Sequence, residues 1–432
     1  MSSSLFHPCS QMKDYESFEP LEIVRAEGSY LYTADGKRLI DPLSSWWCKS
    51  LGHGHPRIRA AVAGQMEKFE HVILANTVNR TIAALSERLA ALLPGRRHLF
   101  YGGDGSTAVE IALKMSLHAM LIRGETKRTR FMALENGYHG ETALTLAVSD
   151  LGIYKEPYRA LAPDYPMLKG IPYCTGVNDP LFTDCGAAWP ALEVQLEREK
   201  DTLCAVIVEP IVQGAGGMLI YSADLLRRLR TWTEKNGIYL IADEIMTGFY
   251  RTGTPLAGDH AGIAPDLVCL SKGLTAGWAA MSAVVLSGEL YNLFYADYGT
   301  GRDFLHSNTY AGNALAAAAA LEAQKIYEDD GIAARVAATA PVLQRLMRET
   351  AKETNLLTNV RGIGMIAAAD IKPEFIKAPR TGYRVYRRAI ELGALLRPLG
   401  NTIYWLPPLN ISLQTLEELK SITVRALRDT LL

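Results

Sequence analysis

In Asp266-Leu-Val-Cys-Leu-Ser-Lys-Gly-Leu-Thr275, an apolar run short enough for a buried strand, Leu267 to Leu270, stops abruptly at Ser271-Lys272-Gly273. Two similar runs lie upstream: Leu203-Cys-Ala-Val-Ile-Val208 meets Glu209-Pro210, and Ile238-Tyr-Leu-Ile-Ala242 meets Asp243-Glu244. Continuous apolar runs, unlike alternating ones, mark strands covered on both faces. Between residues 55 and 325 these runs alternate with helical patterns. That alternation predicts an α/β fold whose sheet is mostly parallel and covered by helices. Open sheets of this type bind ligands beyond the carboxyl ends of their strands, so Glu209, Asp243 and Lys272 are expected along one edge.

Outward from this core the pattern changes. Leu21–Arg25 and Tyr30–Thr33 are rich in strand formers, and Ala34-Asp-Gly-Lys37 supplies a turn after the second. Ala314 to Leu321 reads as a buried helix, and beyond it amphipathic helices surround short strands near Gly364–Ala369 and Ile403–Trp405. The expected organisation is an N-terminal segment, 1–54, belonging to a small domain; a large domain, 55–325; and a smaller α+β domain, 326–432.

Forty-five basic and forty-six acidic residues leave a net charge of −1, so no global field draws the chain to nucleic acid or an anionic membrane. The expected partners are small molecules. Six cysteines without a C-x-x-C pair speak against a zinc ribbon or disulfide scaffold, and His53 and His55 lack a third ligand at a recognisable spacing, so no metal is expected. Met1-Ser-Ser-Ser-Leu-Phe-His-Pro8 lacks the basic and apolar regions of a signal peptide, and no run approaches the roughly 18 apolar residues of a membrane span. A cytoplasmic location is expected.

The chemistry concentrates around Lys272. A lysine amine condenses with the aldehyde of pyridoxal phosphate, and an acid such as Asp243 keeps the pyridine nitrogen protonated, so that the ring withdraws electrons. Gly102-Gly-Asp-Gly-Ser-Thr107 precedes a helical pattern, and the N–H groups of Gly105 and Ser106 would face an anion there, with Thr107 and Glu110 at capping-box spacing. Tyr138, in Asn136-Gly-Tyr-His-Gly-Glu-Thr142, suits stacking on a flat ring. Glu209 and Glu244 fit either hydrogen bonding behind the site or strand-end capping. Arg251 and Arg397 are carboxylate grips or solvated loop residues, and Trp46-Trp47 is a pocket wall or core.

Six motifs then occur together: Gly105-Ser-Thr-Ala-Val-Glu110, Gly137-Tyr-His-Gly140, Ala242-Asp-Glu-Ile245, Gly248-Phe-Tyr-Arg-Thr-Gly253, Ser271-Lys-Gly273 and Thr309-Tyr-Ala-Gly-Asn313. In order and spacing the chain resembles class III pyridoxal phosphate aminotransferases over nearly its whole length. The resemblance implies aminotransferase fold type I and a homodimer with shared active sites. It implies Lys272 as the cofactor-bearing lysine, Asp243 on the pyridine nitrogen, Tyr138 on the ring face, and Gly105, Ser106 and a neighbouring subunit's Thr309 on the phosphate.

Leu43-Ser-Ser-Trp-Trp47, Glu209-Pro-Ile-Val-Gln-Gly-Ala-Gly-Gly217 and Arg397-Pro-Leu-Gly400 with Tyr404 are similar to the biotin-pathway branch of that family. That branch implies 8-amino-7-oxononanoate as amino acceptor and S-adenosyl-L-methionine as donor, with Trp46, Arg251, Arg397 and Tyr404 around the substrate. Lysine as donor, an ω-amino acid or diamine substrate, or a mutase, racemase or decarboxylase reaction are the alternatives. The chain departs from the family pattern at Cys9, where a tyrosine is expected, at Asp104, which beside a phosphate is repulsive unless its side chain caps the helix or turns outward, and at Asn308.

Overall fold

The computed structural model describes residues 4–432; of the segment read against a targeting signal, residues 1–3 lie outside the described residues. The architecture is α/β. A seven-stranded sheet runs in the order Arg97–Gly102, Ser282–Ser287, Leu267–Leu270, Tyr239–Asp243, Leu203–Val208, Arg130–Leu134, Met167–Leu168. The last four pairings are parallel, while Ser282–Ser287 is antiparallel to both its neighbours. All six residues of Leu203–Val208 are buried, as a strand covered on both faces requires. Side chains alternate across it: Ala205 and Ile207 share one core cluster with the helix Gly105–Ile122, whereas Val206 and Val208 share another with the helix Ala223–Lys235.

Register sets the site. Ala242 pairs with Val208 and Asp243 with Cys269. Glu209, Asp243 and Lys272 therefore leave three neighbouring strands at the same end of the sheet. The strands expected at Leu203, Ile238 and Leu267 are present, the second shifted to Tyr239–Asp243 so that the acid itself closes the strand.

A second, antiparallel sheet of Leu357–Ile363, Ile366–Ile371 and Thr402–Trp405 packs with the helices Ile332–Thr354, Thr381–Leu392 and Leu413–Leu431. The N-terminal meander Ile23–Glu27, Tyr30–Thr33 and Arg38–Ile40 joins it: Ile40 N–H donates to Gly393 O at 2.8 Å, and Leu395 N–H donates to Ile40 O at 2.9 Å. A small sheet of Tyr173–Cys174, Leu219–Tyr221 and Val212–Gln213 has strands too short to read from periodicity. Among the described residues no helix is long and apolar enough to cross a membrane.

Two backbone features bear on the packing around the site. Ser44, Ser45, Trp46 and Trp47 have φ of 50°, 45°, 70° and 74°, a left-handed turn built without glycine. Each such residue costs on the order of 1–2 kcal/mol, so the surroundings must hold the turn in place. Gly364, at φ +50°, links two strands of the second sheet while lying against residues 251–253; an added Cβ would come within 2.6 Å of Gly253 N. Gly364→Ala is expected to lower the unfolding free energy by at least about 2 kcal/mol, read from the denaturant midpoint. An unchanged midpoint would contradict this packing.

Candidate active site

Lys272 opens a single 3-10 turn, Lys272–Thr275, directly after its strand, at φ +43°. Ser271 Oγ donates to Met281 O at 2.8 Å, and Tyr327 Oη donates to Gly273 O at 2.7 Å, so both flanks of the lysine are tied to neighbouring segments. The side chain enters a cavity of about 390 Å³ also lined by Asp243, Glu209, Tyr138, His139 and Ser106. Burial lowers the pKa of the Lys272 amine, while Asp243 and Glu209 oppose that shift. Desolvation favours the neutral amine, the form that attacks a carbonyl. The Trp47 ring lies 4.6 Å from Nζ.

Asp243 is buried and ties into the cavity through a partner that sequence reasoning did not assign. His139 Nδ1 lies 2.8 Å from Asp243 Oδ2, and Ile245 N–H donates to Oδ1 at 3.2 Å. The imidazole fixes the carboxylate from behind, and its own Nε2 is buried without a protein partner. The signal was present in Gly137-Tyr-His-Gly140, but nothing local ties that histidine to an acid 104 positions later. Glu209 accepts the N–H groups of Tyr138 at 3.0 Å and Gly214 at 2.9 Å, and so holds the loop that carries Tyr138. Burial, only partly offset by those donors, pushes its carboxyl up to about 7. Glu244 points elsewhere: it accepts from Thr247 Oγ1, Ala257 N–H and Gly258 N–H at 2.5, 3.0 and 2.8 Å, and caps a loop.

The anion cradle differs from expectation in one respect. Asp104, not Thr107, caps the helix Gly105–Ile122, its Oδ1 accepting Thr107 N–H at 2.9 Å. Engaged in that bond, the carboxylate acts as a cap at the start of the helix. Glu110, freed from any capping box, accepts from Thr142 Oγ1 at 2.6 Å and Leu144 N–H at 3.2 Å. The N–H groups of Gly105 and Ser106 begin an 18-residue helix and have no intrahelical acceptor. Gly140, at φ +125°, lies so close that an added Cβ would sit 2.9 Å from Ser106 Cβ. A desolvated lysine, a buried acid and open helix N–H groups around one cavity fit pyridoxal phosphate: amine for aldehyde, acid for ring nitrogen, helix start for phosphate.

The remaining expected residues separate into groups. Trp47 lines the cavity, whereas Trp46 is 47 % exposed and packs under the Arg397 guanidinium, 5.1 Å from its ring. Arg397 Nη2 donates to Cys9 O at 2.9 Å. Tyr404 stands behind Trp47, its hydroxyl accepting Trp47 Nε1–H at 3.0 Å. Cys9, Tyr154 and Glu141 gather with Tyr138, which donates to Glu141 Oε1 at 2.9 Å and meets the Tyr154 ring at 5.8 Å. Arg251 is outside the cavity lining: it is buried and donates to Pro407 O at 2.6 Å, which joins its loop to the second sheet's surroundings. Burial pulls its guanidinium down to about 9. Thr309 is exposed and away from this chain's cavity.

Asp243→Ala strands His139 and removes the acid, so kcat is expected to fall at least about a hundredfold while cofactor content changes far less. Glu209 keeps its proton when folded up to about pH 7 but loses it near 4.5 when unfolded. The native state therefore binds more protons between those values, and the cofactor-free protein gains stability as pH falls through that window, by up to about 3 kcal/mol from this group. Glu209→Gln should flatten that part of a urea-stability profile, and an unchanged slope would contradict the assignment.

Known proteins are similar to this chain over nearly its whole length. The family model described as Aminotransferase class-III matches residues 11–427. An adenosylmethionine-8-amino-7-oxononanoate aminotransferase of Helicobacter pylori is 38% identical over 96% of this chain and 93% of its own length. One of Geobacter sulfurreducens is 33% identical, covering 96% and 93%. The crystal structure of the corresponding Methanocaldococcus jannaschii enzyme superposes with a TM-score of 0.91 at 29% identity over 99% of this chain and 98% of that one. An amine transaminase from an uncultivated Pseudomonas species, solved with PLP bound, gives 0.90 at 28% identity over 100% and 99%. The chain is a pyridoxal phosphate-dependent enzyme and belongs to the class III aminotransferases.

Proposed function

We propose that this aminotransferase moves an amino group from S-adenosyl-L-methionine to the 7-oxo carbon of 8-amino-7-oxononanoate, giving 7,8-diaminononanoate for biotin synthesis. The observation that carries the chemistry is Lys272, desolvated beside Asp243 in one cavity. The choice of substrates rests on the likeness to relatives named for both compounds. Bound pyridoxal phosphate supplies an aldehyde that accepts an amine and a ring that withdraws electrons from the adjoining carbon. The protein supplies position and proton control. Lys272 would hold the cofactor at rest, and its Nζ, when free, would take up and return a proton at the substrate carbon. Asp243, fixed by His139, keeps the ring nitrogen charged, and Gly105 and Ser106 bind the phosphate.

On this reading Tyr138 covers the ring, and Arg397 grips the acceptor carboxylate over Trp46, with Tyr404 setting Trp47. Arg251 supports the site from outside the cavity through its bond to Pro407 O. A second copy of the chain completes the phosphate site with Thr309. Leu305, Tyr298 and Tyr310 beside it are 90%, 98% and 69% exposed in the single chain, the apolar surface that a homodimer would cover. Residues 1–54 and 326–432 act as one small domain against 55–325. The six free cysteines fit a cytoplasmic enzyme.

Absorbance of the holoenzyme, titrated with S-adenosyl-L-methionine and separately with lysine, tests the assignment. S-adenosyl-L-methionine is expected to convert the cofactor to its amine form, and 8-amino-7-oxononanoate to restore it. Conversion by lysine alone would replace the donor; no conversion by either would overturn the substrate assignment.

A further inference from the structure

The left-handed turn at Ser44–Trp47 is clamped from one side by a carboxylate the reaction does not use. Asp41 is fully buried. Its Oδ1 accepts the N–H groups of Leu43 at 3.3 Å and Ser45 at 3.1 Å, and its Oδ2 accepts Ser45 Oγ–H at 2.7 Å. His53 Nε2 lies 2.8 Å from the same Oδ2. His53 is itself braced: its N–H donates to Gly28 O at 2.8 Å and its carbonyl accepts Gly28 N–H at 2.9 Å. On the opposite side, Ser44 Oγ donates to Leu406 O at 2.8 Å, and Trp47 Nε1 donates to Tyr404 Oη at 3.0 Å.

The turn carries two consecutive tryptophans to different tasks. Trp47 reaches the reacting amine, 4.6 Å from Lys272 Nζ, while Trp46 lies against Arg397. Neither Asp41 nor His53 lines the cavity. Every hydrogen bond to the Asp41 carboxylate comes from the turn, its lead-in residue or His53. Relaxation of this strained backbone would withdraw both rings together.

We propose that Asp41 and His53 are positioning residues that lock the left-handed turn, and through it set the distance between the acceptor's oxo end at Lys272 and its carboxylate end at Arg397. The proposal rests on the placement of substrate between those two residues. Asp41→Asn keeps the side chain's shape but turns one acceptor into a donor facing Ser45 Oγ and His53. Ser45→Gly relieves the turn, since glycine adopts positive φ without steric cost.

The holoenzymes are compared by thermal midpoint, cofactor content, near-ultraviolet circular dichroism of the tryptophans and bound cofactor, and steady-state kinetics with whichever amine the wild type accepts. Asp41→Asn is expected to keep its cofactor, to change the dichroism, and to raise KM for the carboxylate-bearing acceptor about tenfold or more, with a much smaller change in kcat. Adding Ser45→Gly should recover part of that loss. His53→Gln, a milder change if Asp41→Asn fails to fold, should show the same KM-dominated split at about threefold. An unaltered dichroism and KM in a folded, cofactor-loaded variant would overturn the proposal. So would losses that follow the thermal midpoint alone and do not respond to the glycine. The dichroism requires no substrate, so a wrong substrate assignment would leave this part of the test intact.

Discussion

Everything at this site depends on burying a lysine amine beside two carboxylates at the carboxyl ends of three parallel strands. Taking Lys272 out of water favours its neutral form, and the acids at 209 and 243 pull the other way. The balance yields an amine able to attack a carbonyl yet held where a negative field can steady a cationic ring. Only strand register permits this. Val208 against Ala242, and Asp243 against Cys269, bring together three strand ends that are far apart in sequence.

Charges this deeply placed need partners, and the surrounding architecture consists largely of supplying them. Glu209 is satisfied by two backbone N–H groups, and the same bonds fix the loop bearing Tyr138. His139 supports Asp243, and Asp104 closes the helix whose first N–H groups face the cavity. Buried polar networks of this kind rigidify a site where their members are satisfied; His139 Nε2 is buried without a protein partner. Strain is tolerated on the same terms: Lys272 and the turn at 44–47 sit at positive φ without glycine, each pinned by neighbouring bonds.

What was legible in the sequence follows from the range of each signal. The buried strands at Leu203, Ile238 and Leu267 show as uninterrupted apolar runs, and the residues that end them, Glu209, Asp243 and Lys272, share the cavity. Local pattern offered two readings at the start of the Gly105–Ile122 helix, Thr107 at capping-box spacing from Glu110 and Asp104 as a cap, and Asp104 makes the bond. The His139–Asp243 contact was invisible, as it joins a loop to the end of a strand 104 positions later. Nor could the order Trp46-Trp47 say which ring faces inward, since that depends on a left-handed turn no propensity scale foresees. Arg251 stood in a motif suited to binding; its Nη1 donates to the carbonyl of Pro407, and its Nη2 is buried without a protein partner.

The central claim is that Lys272, and no other lysine, bears the cofactor. Lys49 is the natural rival, since burial lowers its pKa as well and it lies over Trp278 near the same turn. Borohydride reduction of the holoenzyme followed by peptide mass spectrometry decides between them. The account predicts the reduced cofactor on the peptide containing Lys272 alone; its mass on the peptide containing Lys49, or spread over several lysines, would contradict the account.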